Sequence, residues 1–398
     1  MSRILPKVRI KGFSEEWEQR KLGEVIEDVS GNDGRTELPV LTISAGNGWM
    51  NQKDRFSQVI AGNELKNYTL LKKGELSYNH GNSKLAKYGA VFELKDYEEA
   101  LVPRVYHSFK SNGKSDPSFL EYLFSSKIPD HELGKLVTSG ARMDGLLNIN
   151  KQAFFGITIS VPKFEEQNCV GYFFKQLDET IARQQQLVEL QQQYKKAMLQ
   201  KMFPQKGERV PKLRFDGFSE DWKEKKLGDI AEFINGRAYK QNELLDSGKY
   251  KVLRVGNLYT NNSWYYSDLE LADKYYANYG DLLYTWSATF GPYIWKGEKV
   301  IFHYHIWKVL LSSELNKEFT LQLFEYDKNM LTNDKNGSAM IHITKKGMEQ
   351  KSVLIPSKLE QQKIGTFFIQ LDNTISLQEK KLEDYQKLKK VLLQHMFV

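Results

Sequence analysis

The chain contains the same framework twice, in tandem. Residues 6–24 return as residues 211–229, at an offset of 205, and both copies include Gly-Phe-Ser-Glu followed by an acidic residue and Trp. Residues 162–203 return as residues 356–397, at an offset of 194, with Glu-Gln, Phe-Phe, Gln-Leu-Asp and Met-Phe in register. Any fold for this chain must therefore place two copies of one framework.

The material between the shared blocks differs between the copies. The offset falls by 205 − 194 = 11 residues, and the interiors 31–156 and 236–351 share only scattered residues. Both are rich in Tyr, Trp, Gly and Asn, with short apolar runs such as 39–43 and 250–255 bounded by turn residues, which predicts mixed α/β domains with many loops. A constant frame with two different inserts is expected when each insert recognises a different target.

The second shared block predicts a long helix. Residues 165–203 contain no proline, and their apolar residues recur mostly three or four positions apart, as they do in the second copy. A helix of some 40 residues is roughly 60 Å long and needs a partner along its length. The duplicate helix is the nearest partner, in a pseudo-two-fold antiparallel pair. A helix buried in one large domain is the alternative, but the glutamines and lysines of both copies need to face water.

Composition restricts the class of protein. The 398 residues suffice for two to three domains, and the net charge of +7 favours an anionic partner, although a merely basic soluble protein has the same charge. The single cysteine, Cys169, excludes a disulfide framework and a multi-cysteine zinc site. No run approaches 18 apolar residues, and the first residues lack the apolar segment of a signal peptide. We expect a cytoplasmic protein that does not enter a membrane.

Motifs that would carry catalysis are incomplete. Gly113-Lys114-Ser115 resembles the end of a phosphate-binding loop, but Ser108 stands where that loop needs its first glycine. Residues 93–95 resemble the tail of a nuclease motif without its earlier part, and no motif for binding S-adenosylmethionine is present. His303 and His305 alternate, which would place both on one face of a strand, either as a metal pair or as polar residues that face water or DNA.

The ordered duplication resembles the specificity subunit of Type I restriction and modification enzymes. The resemblance rests on the paired sequences at 12–17 and 217–222, on Lys-Leu-Gly with an acidic residue after it, and on Pro-x3-Glu-Gln opening a helix that ends in Leu-Gln-x-Met-Phe. It spans essentially the whole chain.

The resemblance implies an α+β fold. Two tandem α/β target-recognition domains would be separated by two long helices that form an antiparallel coiled coil with a pseudo-two-fold repeat. The predicted segments are a first recognition domain at 1–160, a central helix at 161–205, a second recognition domain at 206–350 and a C-terminal helix at 351–398. Each domain would bind one half of an asymmetric bipartite DNA target, and the helices would space them and dock methyltransferase subunits.

The resemblance also implies that catalysis belongs to partners. The chain would be a non-catalytic DNA-recognition subunit that binds no cofactor or metal itself. Its partners would be double-stranded DNA, two methyltransferase subunits and restriction/translocase subunits. S-adenosylmethionine, ATP and magnesium would act in those subunits.

The candidate DNA-binding residues lie in loops next to the matched segments. Arginine suits guanine, asparagine and glutamine suit adenine, and basic or hydroxyl groups suit phosphates. The candidates are Asn79, His80, Asn82, Lys84, Ser139, Arg142 and Asn148 in the first insert, and Arg237, Tyr239, Lys240, Thr285, Trp286, Ser287 and Ser338 in the second. A solvated loop residue without a DNA contact is the alternative for each of them.

Two other classes of function remain at this point. One is a self-contained DNA nuclease or methyltransferase with a catalytic site that the motifs do not reveal. The other is a coiled-coil scaffold with no nucleic-acid role, which the aromatic, loop-rich inserts disfavour. Catalysis by the purified chain would indicate the first, and absence of DNA binding would indicate the second.

Overall fold

The structure is a computed structural model that describes residues 4–56, 62–137, 146–287, 289–333 and 343–398. The chain forms two compact units, Met1–Gln185 with Lys380–Val398, and Gln186–Glu379. Each unit therefore takes part of both long helices together with one insert. The four-segment division at 1–160, 161–205, 206–350 and 351–398 stays a prediction.

The first unit combines short strands with the start of a long helix. Its strands are β1 (Glu18–Lys21), β2 (Ile26–Val29), β3 (Leu41–Ser44), β4 (Gly48–Asn51), β5 (Thr69–Lys72), β6 (Leu76–Asn79), β7 (Ala90–Glu93), β8 (Glu99–Val102), β9 (His107–Ser111) and β10 (Thr158–Val161). Its helices are α1 (Gln52–Phe56), α2 (Pro117–Ser125), α3 (Asp130–Leu136), α4 (Lys151–Phe155) and the first part of α5 (Phe164–Met202).

The second unit repeats this order. Its strands are β11 (Lys223–Lys226), β12 (Ala231–Asn235), β13 (Tyr250–Leu253), β14 (Tyr265–Ser267), β15 (Tyr276–Ala277), β16 (Leu282–Thr285), β17 (Gly291–Ile294), β18 (Val300–Phe302), β19 (Ile306–Leu311) and β20 (Ser352–Ile355). Its further helices are α6 (Leu227–Ile230), α7 (Lys317–Asn333), α8 (Lys345–Glu349) and the first part of α9 (Lys358–His395), whose last part belongs to the first unit. The α+β class is confirmed.

The two inserts share one sheet topology despite their different sequences. An antiparallel sheet has the order β2-β9-β6-β7 in the first unit and β12-β19-β16-β17 in the second. A second sheet, β14-β13-β18-β15, joins its halves by parallel pairing of β13 with β18. In the first unit β3 pairs with β4, β5 pairs with β8, and a single parallel bridge from Val40 to Leu101 joins the pairs. The scattered identities therefore conceal the same fold.

An arginine and a glutamate of the shared blocks form the same buried ion pair in each unit. Arg9 binds Glu166 through two hydrogen bonds of 2.7 and 2.6 Å, and Arg214 binds Glu360 through two of 2.7 and 2.8 Å. Both glutamates are almost fully buried. A buried carboxylate needs such a partner, because its desolvation is otherwise uncompensated. This pair ties the start of each copy to its long helix.

The Glu-Gln sequence also fixes the insert against the helix. The side-chain oxygen of Gln167 accepts a hydrogen bond of 3.0 Å from the backbone amide of Asp116, the residue that caps α2, and Gln361 binds Asn316 before α7 in the same way, at 2.9 Å. One turn later stands Gly171, where a Cβ atom would lie 2.5 Å from Asp116 Oδ1. This glycine lets the backbones of α5 and the start of α2 approach each other, which explains why it stands inside a helix.

Three aromatic residues close each core. Phe397 packs against Trp17 and Phe119 with ring centroids 6.3 and 5.5 Å apart. The equivalent trio in the second unit is Phe203, Trp222 and Phe319, where the corresponding separations are 5.8 and 5.5 Å. The phenylalanine that follows each long helix thus enters the core built around the tryptophan of the other copy.

The long helices run antiparallel to each other within each unit. In the first unit Asp178 pairs with Lys389 at 2.5 Å, and Phe174 stacks on Phe397. In the second unit Lys195 pairs with Asp372 at 2.5 Å, and Gln192 donates to Glu379 at 2.8 Å. Partner numbers fall as helix numbers rise, as antiparallel pairing requires. The predicted antiparallel association of the two helices is confirmed.

The incomplete catalytic motifs have structural roles. Residues 113–115 form a turn before α2, in which the hydroxyl of Ser115 donates to the carbonyl of Val25 at 2.8 Å. Lys95 pairs with Glu121 at 2.5 Å, and Glu93 accepts a hydrogen bond of 2.6 Å from Ser118. None of the helices in the described part of the chain is both long enough and apolar enough to cross a membrane.

Candidate nucleic-acid interface

Strand ends bring two loops of the first insert together. Strand β6 ends at Asn79, and the next loop forms a bridge between Gly81 and Leu146 and a hydrogen bond of 2.8 Å from the amide of Leu147 to the carbonyl of His80. This pairing places the loop that carries Asn82 and Lys84 beside the segment that carries Asn148. All three of these candidate side chains are exposed. They can reach an external ligand.

His80 has a different position from the one its sequence context suggests. Its side chain is only 6% exposed, and its ring nitrogens lie 2.7 Å from the carbonyl of Leu147 and 3.0 Å from that of Val105. Carbonyl oxygens only accept, so a ring nitrogen that carries a hydrogen donates to the carbonyl that it faces. His80 therefore supports the loops and does not face outward, because the strand end is covered by the 146–150 segment.

A second histidine lies beneath His80. The two imidazoles stack with centroids 4.9 Å apart, and Nε2 of His107 lies 2.9 Å from the carbonyl of Ile149. Burial lowers the pKa of His107 to about 4, against the opposing effect of that hydrogen bond. His107 is neutral near pH 7, and the pair holds residues 146–150 in place.

Asn79 is also used within the protein. Its amide nitrogen donates to the carbonyl of Ile43 at 3.3 Å, and its oxygen accepts from the amide of Gly81 at 3.0 Å. The side chain is half-buried. Asn79 shapes the loop and presents little of its amide to a ligand, so Asn82, Lys84 and Asn148 are the outward-facing members of this set.

Sequence reasoning missed a basic cavity in the first unit. A cavity of about 540 Å³ is lined by Lys66, Asn67, Arg104 and Lys151, among others, and none of its lining residues in the described part of the chain is acidic. Lys151 pairs with Asp28 at 2.5 Å, while the side chains of Lys66 and Arg104 are exposed. Such a lining suits phosphate oxygens. These residues follow no motif, so only the folded chain brings them together.

Three segments converge at the equivalent end of the second unit. The amide of Arg237 donates to the carbonyl of Phe302 at 3.1 Å, and the amide of Trp286 donates to that of His305 at 3.2 Å. The indole nitrogen of Trp286 donates to the carbonyl of Tyr304 at 2.9 Å. Trp286 and Ser287 are half-buried, and Tyr304 is 39% exposed. These rings offer surfaces on which a base can stack.

Several candidates of the second insert form contacts within the protein at this end instead of facing outward. Arg237 binds Glu243 through two hydrogen bonds of 2.7 and 3.0 Å, and its guanidinium is the main cause that lowers the pKa of Glu243 to about 2. Thr285 is fully buried and bonds to the hydroxyl of Tyr259 at 3.1 Å. Tyr239 is half-buried and the pKa of its phenol is raised by burial. Lys240 is exposed.

The two alternating histidines lie on a turn and not on a strand. The chain leaves β18 after Phe302 and joins β19 in the other sheet at Ile306, so residues 303–305 form the connection. No group of three metal-ligating side chains occurs within the ranges that the structure describes. Burial, and then the charges of His305 and Arg254, lowers the pKa of His303 to about 4. Arg254 itself lies 4.2 Å above the ring of Tyr265, and this half-buried pair is another that sequence reasoning missed.

The remaining candidates, Ser139, Arg142 and Ser338, lie outside the described residues. The described parts of their loops end at residue 137 and resume at 146 in the first unit, and end at 333 and resume at 343 in the second. Their roles stay predictions.

A known protein family matches most of the second half of the chain. Residues 219–385 match the family model of the type I restriction modification DNA specificity domain. The matched range includes the whole second insert and most of α9, the elements that build the aromatic end described above.

Two curated proteins of Methanocaldococcus jannaschii are similar to this chain. The specificity subunit of the type I restriction enzyme MjaVIII is 24% identical over 292 residues, 68% of each protein. The putative specificity subunit of the type I restriction enzyme MjaX is 22% identical over 413 aligned positions, 97% of this chain and 94% of that protein.

Two solved structures share the fold. The S subunit of a type I restriction-modification system from M. genitalium aligns with a TM-score of 0.61 and 15% identity, over 99% of both chains. A chain from a study of complex assembly and conformational transition in the type I R-M system aligns with a TM-score of 0.58 and 15% identity, over 95% of this chain and 96% of that chain.

Proposed function

The chain belongs to the family of type I restriction-modification specificity subunits, and we propose that each of its two units reads one half of an asymmetric bipartite DNA target. Phosphate contacts would position each unit on the duplex, and side chains at the loop ends would reach base edges. The long helices would space the two half-sites and dock methyltransferase subunits.

One observation supports this proposal above the others. The frame is duplicated contact by contact, from the Arg–Glu pair to the aromatic trio, whereas the loop ends carry different side chains. The first unit presents Asn82, Lys84 and Asn148, and the second presents Lys240 and Trp286. Two units with the same framework and different side chains at their loop ends suit two different half-sites.

The proposal divides the outward residues by chemistry. Asn82 and Asn148 suit adenine edges, while Lys84, Lys240 and the basic cavity around Arg104 suit phosphates. Trp286 and Tyr304 supply ring faces next to Ser287. Arg142, Ser139 and Ser338 are kept as proposed contacts, with the guanidinium of Arg142 directed to a guanine.

Catalysis is assigned to partner subunits. Two methyltransferase subunits would bind S-adenosylmethionine, and restriction/translocase subunits would use ATP and magnesium, with the whole complex acting in the cytoplasm. This chain would bind none of these cofactors itself. In support, the family model describes a DNA specificity domain, and both curated relatives are named specificity subunits of type I restriction enzymes.

The test exchanges one insert. Residues 31–156 are replaced by the corresponding insert of a relative, the variant is expressed with its methyltransferase, and modified bases are mapped across the genome. We expect one half-site to change and the other to stay as in the wild type. A change in both half-sites, or in neither, would contradict independent reading by the two units.

A second test concerns spacing. Repeating Leu187-Val188-Glu189-Leu190 lengthens α5 by roughly 6 Å and turns its far end by about 40°. We expect the same two half-sites with a gap longer by about one or two base pairs, since one turn of DNA is roughly 34 Å. An unchanged gap with intact modification would show that the helix does not set the distance.

The alternative function, a self-contained nuclease or methyltransferase, predicts activity without partners. Purified chain, free of other subunits, is incubated with duplex DNA and either S-adenosylmethionine or magnesium. We expect neither methyl transfer nor cleavage. Turnover that follows this chain through separation from every other subunit would replace the proposal.

A further inference from the structure

The two units differ at one equivalent position beneath the insert. Phe119 of α2 and Phe319 of α7 occupy the same place in the two aromatic trios. Three residues later stand Tyr122 in the first unit and Gln322 in the second, both at most 3% exposed. One helix therefore buries a phenol where the other buries an amide.

The phenol of Tyr122 has a complete set of partners. Its hydroxyl donates to Asp178 at 2.9 Å, and Lys389, which pairs with Asp178, lies 5.5 Å from the ring centroid. Lys95 lies 5.3 Å from the same centroid. Burial, and then the charge of Asp178, raises the pKa of the phenol, so it stays protonated and donates.

The second unit retains these partners without the phenol. Asp372 is the counterpart of Asp178, and Lys195 is the counterpart of Lys389, both at the offset of 194 that relates the two long helices. Lys296 is the counterpart of Lys95, at the offset of 201 that relates β7 and β17. All three line a cavity of about 450 Å³ together with Tyr293 and Ile369.

Gln322 lines the same cavity and lacks the bonds that a buried amide needs. Its side chain is 0% exposed, and neither its amide oxygen nor its amide nitrogen has a hydrogen-bond partner within the ranges described. A buried amide without partners is unfavourable, so a ligand that supplies a hydroxyl to it is favoured. The cavity therefore combines walls that can contact an aromatic ring with a polar side chain that has no hydrogen-bond partner in the described residues.

We propose that this cavity binds the side chain of a tyrosine presented by a partner polypeptide. The ring would lie between Lys195 and Lys296, as Tyr122 lies between Lys389 and Lys95, and the hydroxyl would donate to Asp372 and accept from Gln322. A cavity of this size lies within the range of ligand sites and accommodates a side chain with its flanking residues.

A polypeptide is favoured because the long helices form one wall. Lys195 belongs to α5, and Ile369 and Asp372 belong to α9. The proposed function assigns methyltransferase docking to these helices, and the inference rests on that assignment for the identity of the partner. The two methyltransferase copies would then be held unequally, because Tyr122 fills the equivalent place in the first unit.

The first experiment probes the wild-type full-length chain without any partner. Binding of p-cresol, which has the side chain of tyrosine, and of toluene, which lacks the hydroxyl, is measured by NMR shift titration. We expect p-cresol to bind at least about tenfold more tightly, because a site built to bond a hydroxyl rejects an analogue without one. Equal affinities, or no saturable binding of p-cresol, would overturn the proposal whatever the protein does with DNA.

The second experiment uses Gln322→Tyr, which supplies the residue of the first unit. We expect the variant to lose p-cresol binding and to bind one of the two methyltransferase copies at least about tenfold more weakly, measured by calorimetry. Tyr122→Phe, which removes a hydroxyl from the first unit, is the matched control and should leave both affinities unchanged. A folded Gln322→Tyr chain with both affinities unchanged would contradict the proposal.

The same complexes separate this inference from the proposed function. Genome-wide mapping of modified bases should give the same two half-sites for the wild type and for Gln322→Tyr at saturating methyltransferase. A wild-type complex that modifies no bipartite site would refute the proposed function, while the p-cresol comparison would still decide whether the cavity binds a phenol.

Discussion

The two units support their loop ends with different ring pairs at equivalent positions. His80 and His107 stack at 4.9 Å in the first unit, and Trp286 and Trp307 stack at 6.0 Å in the second. Each pair forms one hydrogen bond to a carbonyl in the turn before β9 or β19, at 3.0 Å in the first unit and 2.9 Å in the second.

The difference lies in what else each pair does. His80 has a second ring nitrogen, which lies 2.7 Å from the carbonyl of Leu147 and so holds another loop. The indole of Trp286 has a single donor and leaves part of its ring accessible. The same frame can therefore carry either a buried pair of polar rings that holds neighbouring loops or a partly accessible pair of aromatic rings on which a base can stack.

The largest expected effect tests whether the frames are equivalent. Phe397→Ala and Phe203→Ala each remove the ring that closes one core, and each should cost about 3–5 kcal/mol in free energy of unfolding of its own unit. Hydrogen exchange of peptides from each unit measures the losses separately. Phe173→Ala, at a site 37% exposed on α5, is the control and should cost much less. A large loss in only one unit would break the comparison.

The next effect tests the closed support. His80→Ala leaves the carbonyls of Leu147 and Val105 without their partner, which should cost about 1–3 kcal/mol for a buried polar group. We expect faster hydrogen exchange at residues 146–150 and weaker recognition of one half-site only. Asn82→Ala, in the exposed part of the same loop, should leave the exchange of residues 146–150 unchanged. Equal exchange in both variants would show that His80 does not hold the loop.

A pH series distinguishes the two ring pairs. Burial lowers the pKa of His107 to about 4, so between that value and the unfolded value near 6.5 the unfolded chain binds a proton that the folded chain does not. The stability that neutral His107 contributes is therefore complete above about pH 6.5 and decreases as the pH falls toward 4.

His107→Phe should reduce this acid sensitivity in the first unit. The measurement is hydrogen exchange at strand β9, corrected for intrinsic rates, at several pH values between 7 and 4. His303→Asn is the matched variant in the second unit, since the pKa of His303 is also lowered to about 4. An unchanged pH profile of the first unit in His107→Phe would assign its acid sensitivity to other groups.

The smallest effects test the outward lysines. Lys84→Ala should weaken binding to all duplexes of the first half-site alike, and Lys240→Ala should do so for the second, each reducing the slope of affinity against salt by about 1. Fluorescence anisotropy at several salt concentrations measures this. Lys175→Ala, at an exposed site on α5, should change neither slope. A loss confined to one base sequence would instead indicate a base contact.

Local pattern predicted the frame well, for physical reasons. Helix α5 begins and ends within one residue of the predicted 165–203, because three-to-four spacing and the absence of proline act over neighbouring residues. Strands β3 and β13 overlap the short apolar runs at 39–43 and 250–255. Their pairing could not be predicted, because the 4-stranded sheets join residues far apart in the chain.

The candidate site was predicted less completely than the frame. The loops next to the matched strands do converge, but His80 and Thr285 are buried there, and Arg237 is held by Glu243. A polar residue at a strand end has the same local pattern whether a neighbouring loop covers it or not. Exposure is set by that neighbour, so the basic cavity at Arg104 and the ring of Tyr304 left no signal in the sequence.

The sequence by itself determined that two equal frames with long helices carry unequal inserts, since the duplication and the helical period are both visible in the order of the residues. Tertiary structure alone decided which residues complete each frame. Phe397 closes the core around Trp17, and Asp178 pairs with Lys389, across more than half of the chain. Such contacts arise because antiparallel helices bury apolar faces along their length, which brings the last residues of one copy to the first residues of the other.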